Sequence, residues 1–389
     1  MRNLLSRMRR GSLHQSPALT LMAVAILMLF ACATAPSGEE PQEEIDLFAY
    51  LPGPASVIGW VDFDALRGST LALSYLEDEE LIGEADKDLQ EFIAKTGVDP
   101  RTDLKQIAMV AFDGEDGETE GVVVGSVNFD RDRLMTSLAD SPTLSYRDQT
   151  LYELEQDEWE GEEDEGEETE GEEGEEGEGE HGEEGEGEHG EMWVEGAGET
   201  QTGYLVIIND QTLMIGSETG VKFALDTAAG ERPKVRDDVT MNEMIVSLPV
   251  DDQIWIVATD EAWAEELAEM PEEGVSPVPI PLAAIEGVEV VTFAMHMSDA
   301  MRLRLSGITA TEEDATMISQ SMLGLLAMGK MMIQQAQPEL FKIIDSGLLI
   351  DSDNRVINLE ANLSAEDIAT LRELAEERAG EAMQGGIEG

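Results

Sequence analysis

Between Asp157 and Glu191 the chain carries 21 acidic residues, 10 glycines and no lysine or arginine; the remaining positions are Trp159, Thr169, His181 and His189. A segment of this composition buries too little apolar surface to offset the entropy of ordering it, and its charges repel one another, so it is expected to stay outside any packed core. It therefore dictates the layout around it. β-rich runs stand on both sides, "TLSYRDQTLYELE" before it and "GYLVIINDQTLMIGS" after it. Loop closure costs grow only logarithmically with length, so residues 157–198 read as an oversized, disordered loop between two neighbouring strands. The pattern G-x-G-x-x-G occurs twice inside the run, at 177–182 and 185–190. That pattern grips a pyrophosphate only where it follows a strand and opens a helix. Here no strand precedes it, and the intervening glutamates would repel a phosphate.

The net charge is −62. The run alone does not account for it: with the run and residues 1–31 set aside, 64 acidic residues still face 19 basic ones. Nucleic acid is not an expected partner, because neutralising phosphates takes clustered lysine and arginine. With 42% hydrophobic residues, a chain of 389 residues can build one large domain or two to three ordinary ones. Its single cysteine, Cys32, allows no intramolecular disulfide and no cysteine-based metal cluster.

The N-terminus places Arg2, Arg7, Arg9 and Arg10 ahead of an apolar stretch from Ala18 to Ala31, the layout of a secretory signal. Its end, Leu29-Phe30-Ala31-Cys32, resembles the bacterial lipobox, with Phe30 departing from the usual small or β-branched residue. The resemblance implies a lipoprotein signal peptide over residues 1–31, cleavage after Ala31, and Cys32 as the lipid attachment residue. Residues 32–46, rich in Pro, Ser and Glu, then form a flexible tether reaching about 20 Å from a membrane. Ala33, rather than Asp, behind the lipidated cysteine points by lipoprotein sorting rules to the outer membrane over the inner. Two alternatives stay open. Ala18 to Ala35 is also 18 residues without a charge, which fits an uncleaved membrane anchor. Arg9-Arg10-Gly11-Ser12-Leu13 resembles a twin-arginine export signal, with Ser12 in place of the usual bulky residue, which changes the export route and not the destination.

Alternation, caps and breakers order the rest of the chain. A strand is expected over Val57–Phe63, a helical stretch over Ser69–Thr96 stopped by Gly97 and Pro100, and a hairpin in "LKQIAMVAFDGEDGETEGVVVGSVNFD". A short helix over Arg131–Ala139, a strand pair, the acidic run, a second strand pair and a helix over Glu218–Ala229 follow. From "DDQIWIVATDEAW" onward the same order recurs. The chain is thus predicted to be α+β, with largely antiparallel sheets and helices on one face, as a duplicated β-α-β-β-α-β-β-α unit. The first unit spans 47–235, the second 240–380, and 381–389 form a flexible tail. The Leu-Pro opening at Leu51-Pro52, with Gly97-Val98-Asp99-Pro100 and Asp103-Leu104, resembles uncharacterised secreted bacterial domains over the N-terminal third, and this implies no activity.

Chemistry is sparse. Nucleophilic catalysis needs Ser or Cys beside a base. His296 is the one histidine in the globular part, predicted at a strand end beside Ser298 and Asp299 and in phase with Val290, Thr292 and Ala294. "DSDNRVINLEAN" opens like a calcium loop, but Val356 stands where glycine must turn and Asn362 where a bidentate glutamate is required, so it reads as a hairpin turn. The acidic run, with His181 and His189, is expected to gather divalent cations weakly and without fixed geometry. Ala315 to Gln337 carries Ile318, Met322, Leu325 and Met332 at helical spacing, a stripe that suits either a core or a lipid or peptide groove. No catalytic, metal or cofactor residue is assigned, and no cofactor is expected. The reading is a non-enzymatic, lipid-anchored cell-envelope protein with an acidic ectodomain in a binding or structural role, its protein partner open. The alternatives are a lipid or peptide carrier or chaperone, marked by a cavity lined by Met322, Met328 and Met332, and an envelope hydrolase, marked by a His296–carboxylate–Ser cluster.

Overall fold

The computed structural model describes residues 46–76, 90, 93–94, 96–114, 119–154, 202–262 and 287–374. The signal peptide, Cys32, all but the last residue of the tether, the acidic run and the tail lie outside these residues. Strand β1 (Val57–Asp62) runs into helix α1 (Phe63–Arg67), which Asp62 caps by accepting from the Ala65 amide at 2.8 Å. Gly68 closes that turn and α2 (Thr70–Leu76) follows. The predicted helical stretch thus starts with α2, the short helix α1 stands ahead of it beyond the predicted range, and the middle of the stretch lies outside the described residues. Its end is where expected: Gly97 takes φ +77°, and Pro100 occupies the first turn of α3 (Pro100–Asp103). Strands β2 (Leu104–Asp113) and β3 (Thr119–Val127) form the predicted hairpin, followed by α4 (Arg131–Ser137), β4 (Thr143–Tyr146) and β5 (Gln149–Leu154). Beyond the acidic run come β6 (Gly203–Asn209), β7 (Thr212–Ser217) and α5 (Glu218–Ala228). Strands β5 and β6 are hydrogen-bonded neighbours, Leu154 opposite Gly203, so the run connects adjacent strands.

The second half enters through α6 (Val239–Ser247) and continues with β8 (Ile254–Thr259), β9 (Val288–Met297) and β10 (Ala300–Thr309). The Met-rich stretch is α7 (Glu312–Ala336), and Pro338 starts a separate helix, α8 (Pro338–Gly347). Then come β11 (Leu348–Asp353), β12 (Val356–Ser364) and a helical stretch over 365–374. The stretch "DSDNRVINLEAN" is the predicted hairpin, β11 turning into β12 with Asn354 at φ +53°.

The twelve strands of the described residues form one sheet in the order β11-β12-β10-β9-β8-β1-β2-β3-β7-β6-β5-β4, and every pair is antiparallel. Outward from the central β1–β8 pair the two halves repeat the same order, and β5 and β4 extend one end. The register is symmetric as well: Val57 faces Ala258, Val61 faces Ile254, and Gly59 faces Ile256 on the local dyad. The shift that carries Val57 onto Ile254 also carries Leu51-Pro52 onto Leu248-Pro249.

The class is α+β with an antiparallel sheet, as the sequence predicts. The helices, expected on one face, cover both. On one face Ala108, Val110, Val122, Val124, Val206 and Met214 pack under α5, α6 and a 3-10 turn at Leu47–Tyr50. On the other, Ile107 and Met109 pack with Phe63, Leu66 and Ala72 of α1 and α2. Leu134 of α4 and the C-cap Leu138 meet Leu205 and Ile207, and Ala315 and Ile318 of α7 meet Ile357. The physical cause is that β2 is apolar at successive positions from Ile107 to Phe112, so both of its faces must be covered. Each fully buried large side chain, Phe63 for example, contributes about 1.5–3 kcal/mol.

Candidate functional site

Where α5 covers the first half, the same face of the second half carries a cleft among the described residues. A cavity of about 460 Å³ lies over β9 to β12, walled by Met244, Ser247, Leu248 and Pro249 at the end of α6. Its floor is Thr292 on β9, Arg304, Ser306 and Ile308 on β10, Val356, Asn358 and Glu360 on β12, and Leu349 and Asp351 on β11. Strand alternation puts these side chains on one face, and the β9–β10–β12–β11 register sets them in rows.

A polar relay crosses the floor. The Ser306 hydroxyl donates to Asn358 Oδ1 at 2.8 Å, and Asn358 Nδ2 donates to Asp351 Oδ1 at 3.0 Å. Beside it, the Arg304 guanidinium lies 3.9 Å from Asp252 Oδ2 and 3.7 Å from Glu360 Oε2. These are ion-pair distances; among the described residues none of its five N–H donors has a hydrogen-bond acceptor.

Behind Arg304, the nearly buried Asp252 carboxylate accepts from Arg302 at 2.9 Å, and its Oδ2 has no hydrogen bond among the described residues. Hydrogen bonding to Asp252 raises the Arg302 pKa above its ordinary value. His296 Nδ1 is 2.7 Å from the Asp251 carbonyl oxygen, so it donates there, and 3.6 Å from that residue's carboxylate. Burial pushes the Asp251 carboxyl up most strongly, yet a backbone hydrogen bond and the charges of Arg302 and His296 together hold it below the usual range. Asp251, Asp252 and His296 could each offer a ligand atom within 4.8 Å of the others. Arg302 and Arg304 lie at ion-pair distance from these carboxylates, so the cluster forms an ion-pair network.

His296 thus stands at the end of β9 in the predicted phase, and the fold brings it to carboxylates. Among the described residues no hydrogen bond joins it to a serine; the Ser298 hydroxyl donates to Asp299 Oδ1 at 3.1 Å. The Met-rich helix is also placed differently from the carrier reading. Met322 packs partly buried against the Ala315–Ile318–Ile357 cluster, Met328 and Met332 are exposed, and the cavity, on the opposite face of the sheet, is lined by none of the three. No motif in the sequence marks Arg304, Ser306 or Asn358, and Asp351 stands out only as the first residue of "DSDNRVINLEAN". The available signal was the polar residues at alternate positions of strands expected to be half-buried.

No family model matches the chain, and no curated protein matches it. Two crystal structures of TP0453 resemble it. Crystal form I has a TM-score of 0.40 at 10% identity over 84% of this chain and 96% of that chain. Crystal form III has a TM-score of 0.40 at 11% identity over 85% of this chain and 98% of that one. That overlap is too loose to carry a function across. Among the described residues no helix is long and apolar enough to cross a membrane.

Proposed function

We propose that the chain is a non-enzymatic, lipid-anchored protein of the cell envelope whose acidic ectodomain binds a ligand or partner in the cleft of its second half. The observation that carries the binding role is the cleft itself. It is a cavity of about 460 Å³ with a hydrogen-bonded polar floor, and His296, farther along β9, is paired with a carbonyl. The anchor rests on Leu29-Phe30-Ala31-Cys32 closing an apolar stretch behind four arginines.

The test is fractionation of cells making the full chain, with fatty-acid labelling. The wild type is expected to carry label and to sediment with outer-membrane markers, as Ala33 implies, whereas Cys32→Ser carries none and releases any processed form. A Cys32→Ser chain that stays in membranes with its N-terminus uncleaved would establish the signal-anchor alternative. A second reading, a carrier or chaperone, is supported by the outward face of α7, where Met317, Met331 and Met332 are all more than half exposed.

A further inference from the structure

The dyad pairs the two halves residue by residue. One row of cross-strand neighbours runs Ile350, Leu359, Leu305, Phe293 and Ile256, then Gly59, Met109, Val123, Ile215 and Leu205. Leu305 therefore corresponds to Val123, Leu359 to Ile215, and Ile350 to Leu205. On the opposite face the adjacent row makes Ser306 the counterpart of Val124, Asn358 of Met214, and Asp351 of Val206. Arg304 is the counterpart of Val122.

In the first half those four positions are fully buried apolar residues under Val221 and Ala224 of α5. In the second half they are the cleft floor. The helical stretch over 365–374 follows β12 as α5 follows β7, yet none of its residues lines the cavity. Had the site kept a helix seat, its floor would be apolar. Instead Ser306, Asn358 and Asp351 hydrogen-bond one another, and Arg304 lies between the carboxylates of Glu360 and Asp252 with no hydrogen bond among the described residues.

We infer that the cleft binds a short peptide carrying a basic side chain. Its carboxylate or carbonyl oxygens accept from Arg304, its ammonium or guanidinium pairs with Asp351 and Glu360, and an apolar side chain packs on Met244, Leu248 and Ile308. The volume falls within the roughly 300–1,000 Å³ of small-ligand pockets. An acyl chain would set Arg304 and Asp351 against hydrocarbon, at a cost of about 1–3 kcal/mol for each polar group left without a partner. A second copy of the chain, also at −62, is repelled. The inference rests on the binding role proposed above and not on the anchor.

The test is fluorescence anisotropy on the full-length chain in neutral detergent at about 0.3 M salt, where surface attraction is screened. The probe is a labelled pentapeptide with two lysines, one leucine and a free carboxylate. Saturable binding is expected, weakened about ten-fold by Asp351→Asn and by Arg304→Gln, the size of one lost charge-assisted hydrogen bond. Asp132→Asn on α4, far from the cleft, should bind as the wild type does. Amidating the peptide's carboxylate should weaken the wild type and leave Arg304→Gln unmoved. Asp351 is exposed, so its variant remains a valid test even if Arg304→Gln misfolds. Equal affinity in Asp351→Asn, Asp132→Asn and wild type, or equal binding of a peptide with glutamates for lysines, would show attraction to acidic surface alone and overturn the inference. No saturation up to millimolar peptide, in a chain still anchored through Cys32, overturns it and leaves the anchor standing.

Discussion

Val124 and Ser306 occupy equivalent places in the two halves, so exchanging their chemistry measures how differently the halves are packed. Val124 is fully buried between Ala108 and Met214, both likewise fully buried. Val124→Ser trades methyl groups for a hydroxyl, losing about 1.5 kcal/mol of apolar burial. The new hydroxyl has only apolar side chains around it, which adds about 1–3 kcal/mol. The expected loss is about 3–4 kcal/mol. Ser306→Val removes one hydrogen bond, from a site bordering an open cavity, while Asn358 keeps its bond to Asp351. Its expected cost is about 1 kcal/mol or less. Urea unfolding of the purified chains, with equal slopes as the check on comparable transitions, gives both values. Equal costs, or a larger cost for Ser306→Val, would mean that the cleft floor is packed as tightly as the seat of α5, and the reasoning that separates the halves would fail.

Gly216→Ala should cost at least about 2 kcal/mol, because its new methyl would collide with the Gly121 carbonyl and the Val122 backbone; Gly324→Ala, whose new methyl meets no other part of the described residues within 4 Å beyond its own helix turn, should stabilise α7 by up to about 1 kcal/mol, and thermal scans that rank the two the other way refute this. A hydrogen bond from Arg147 lowers the Glu231 carboxyl below its ordinary 4.5. That contribution is fully present above the unfolded value and lost as pH falls through the lowered one. The difference in melting temperature between wild type and Arg147→Gln should therefore be constant above about pH 5 and close in stronger acid; a gap that persists there rejects the pairing. Replacing residues 157–191 by a short Gly-Ser linker should leave the thermal midpoint within a few degrees, since β5 and β6 are already paired and loop closure changes by only about 1–2 kcal/mol. Loss of cooperative unfolding would show that the run organises the fold.

The sequence by itself determined whatever depends on near neighbours. The short apolar, β-branched runs "GYLVIIN" and "TLMIGS", parted at the turn-favouring residues Asn209 and Asp210, mark strands because such side chains pack well on a pleated sheet. Asp62, Asp130, Ser217 and Thr311 announce helix starts because their side-chain oxygens sit within reach of amides two or three residues on. The order of elements, its repetition and the α+β class all follow from such local signals. The cleft does not. Ser306, Asn358 and Asp351 form a relay only because β10 pairs with β12 and β12 with β11 in one register, and His296 finds Asp251 across a gap of 45 positions. Parity along a strand tells which residues share a face, but not which face a helix will cover, nor that β1 and β8 will join the halves into one sheet. Those choices are settled by side chains far apart in sequence competing to leave water together, and only the folded chain resolves that competition.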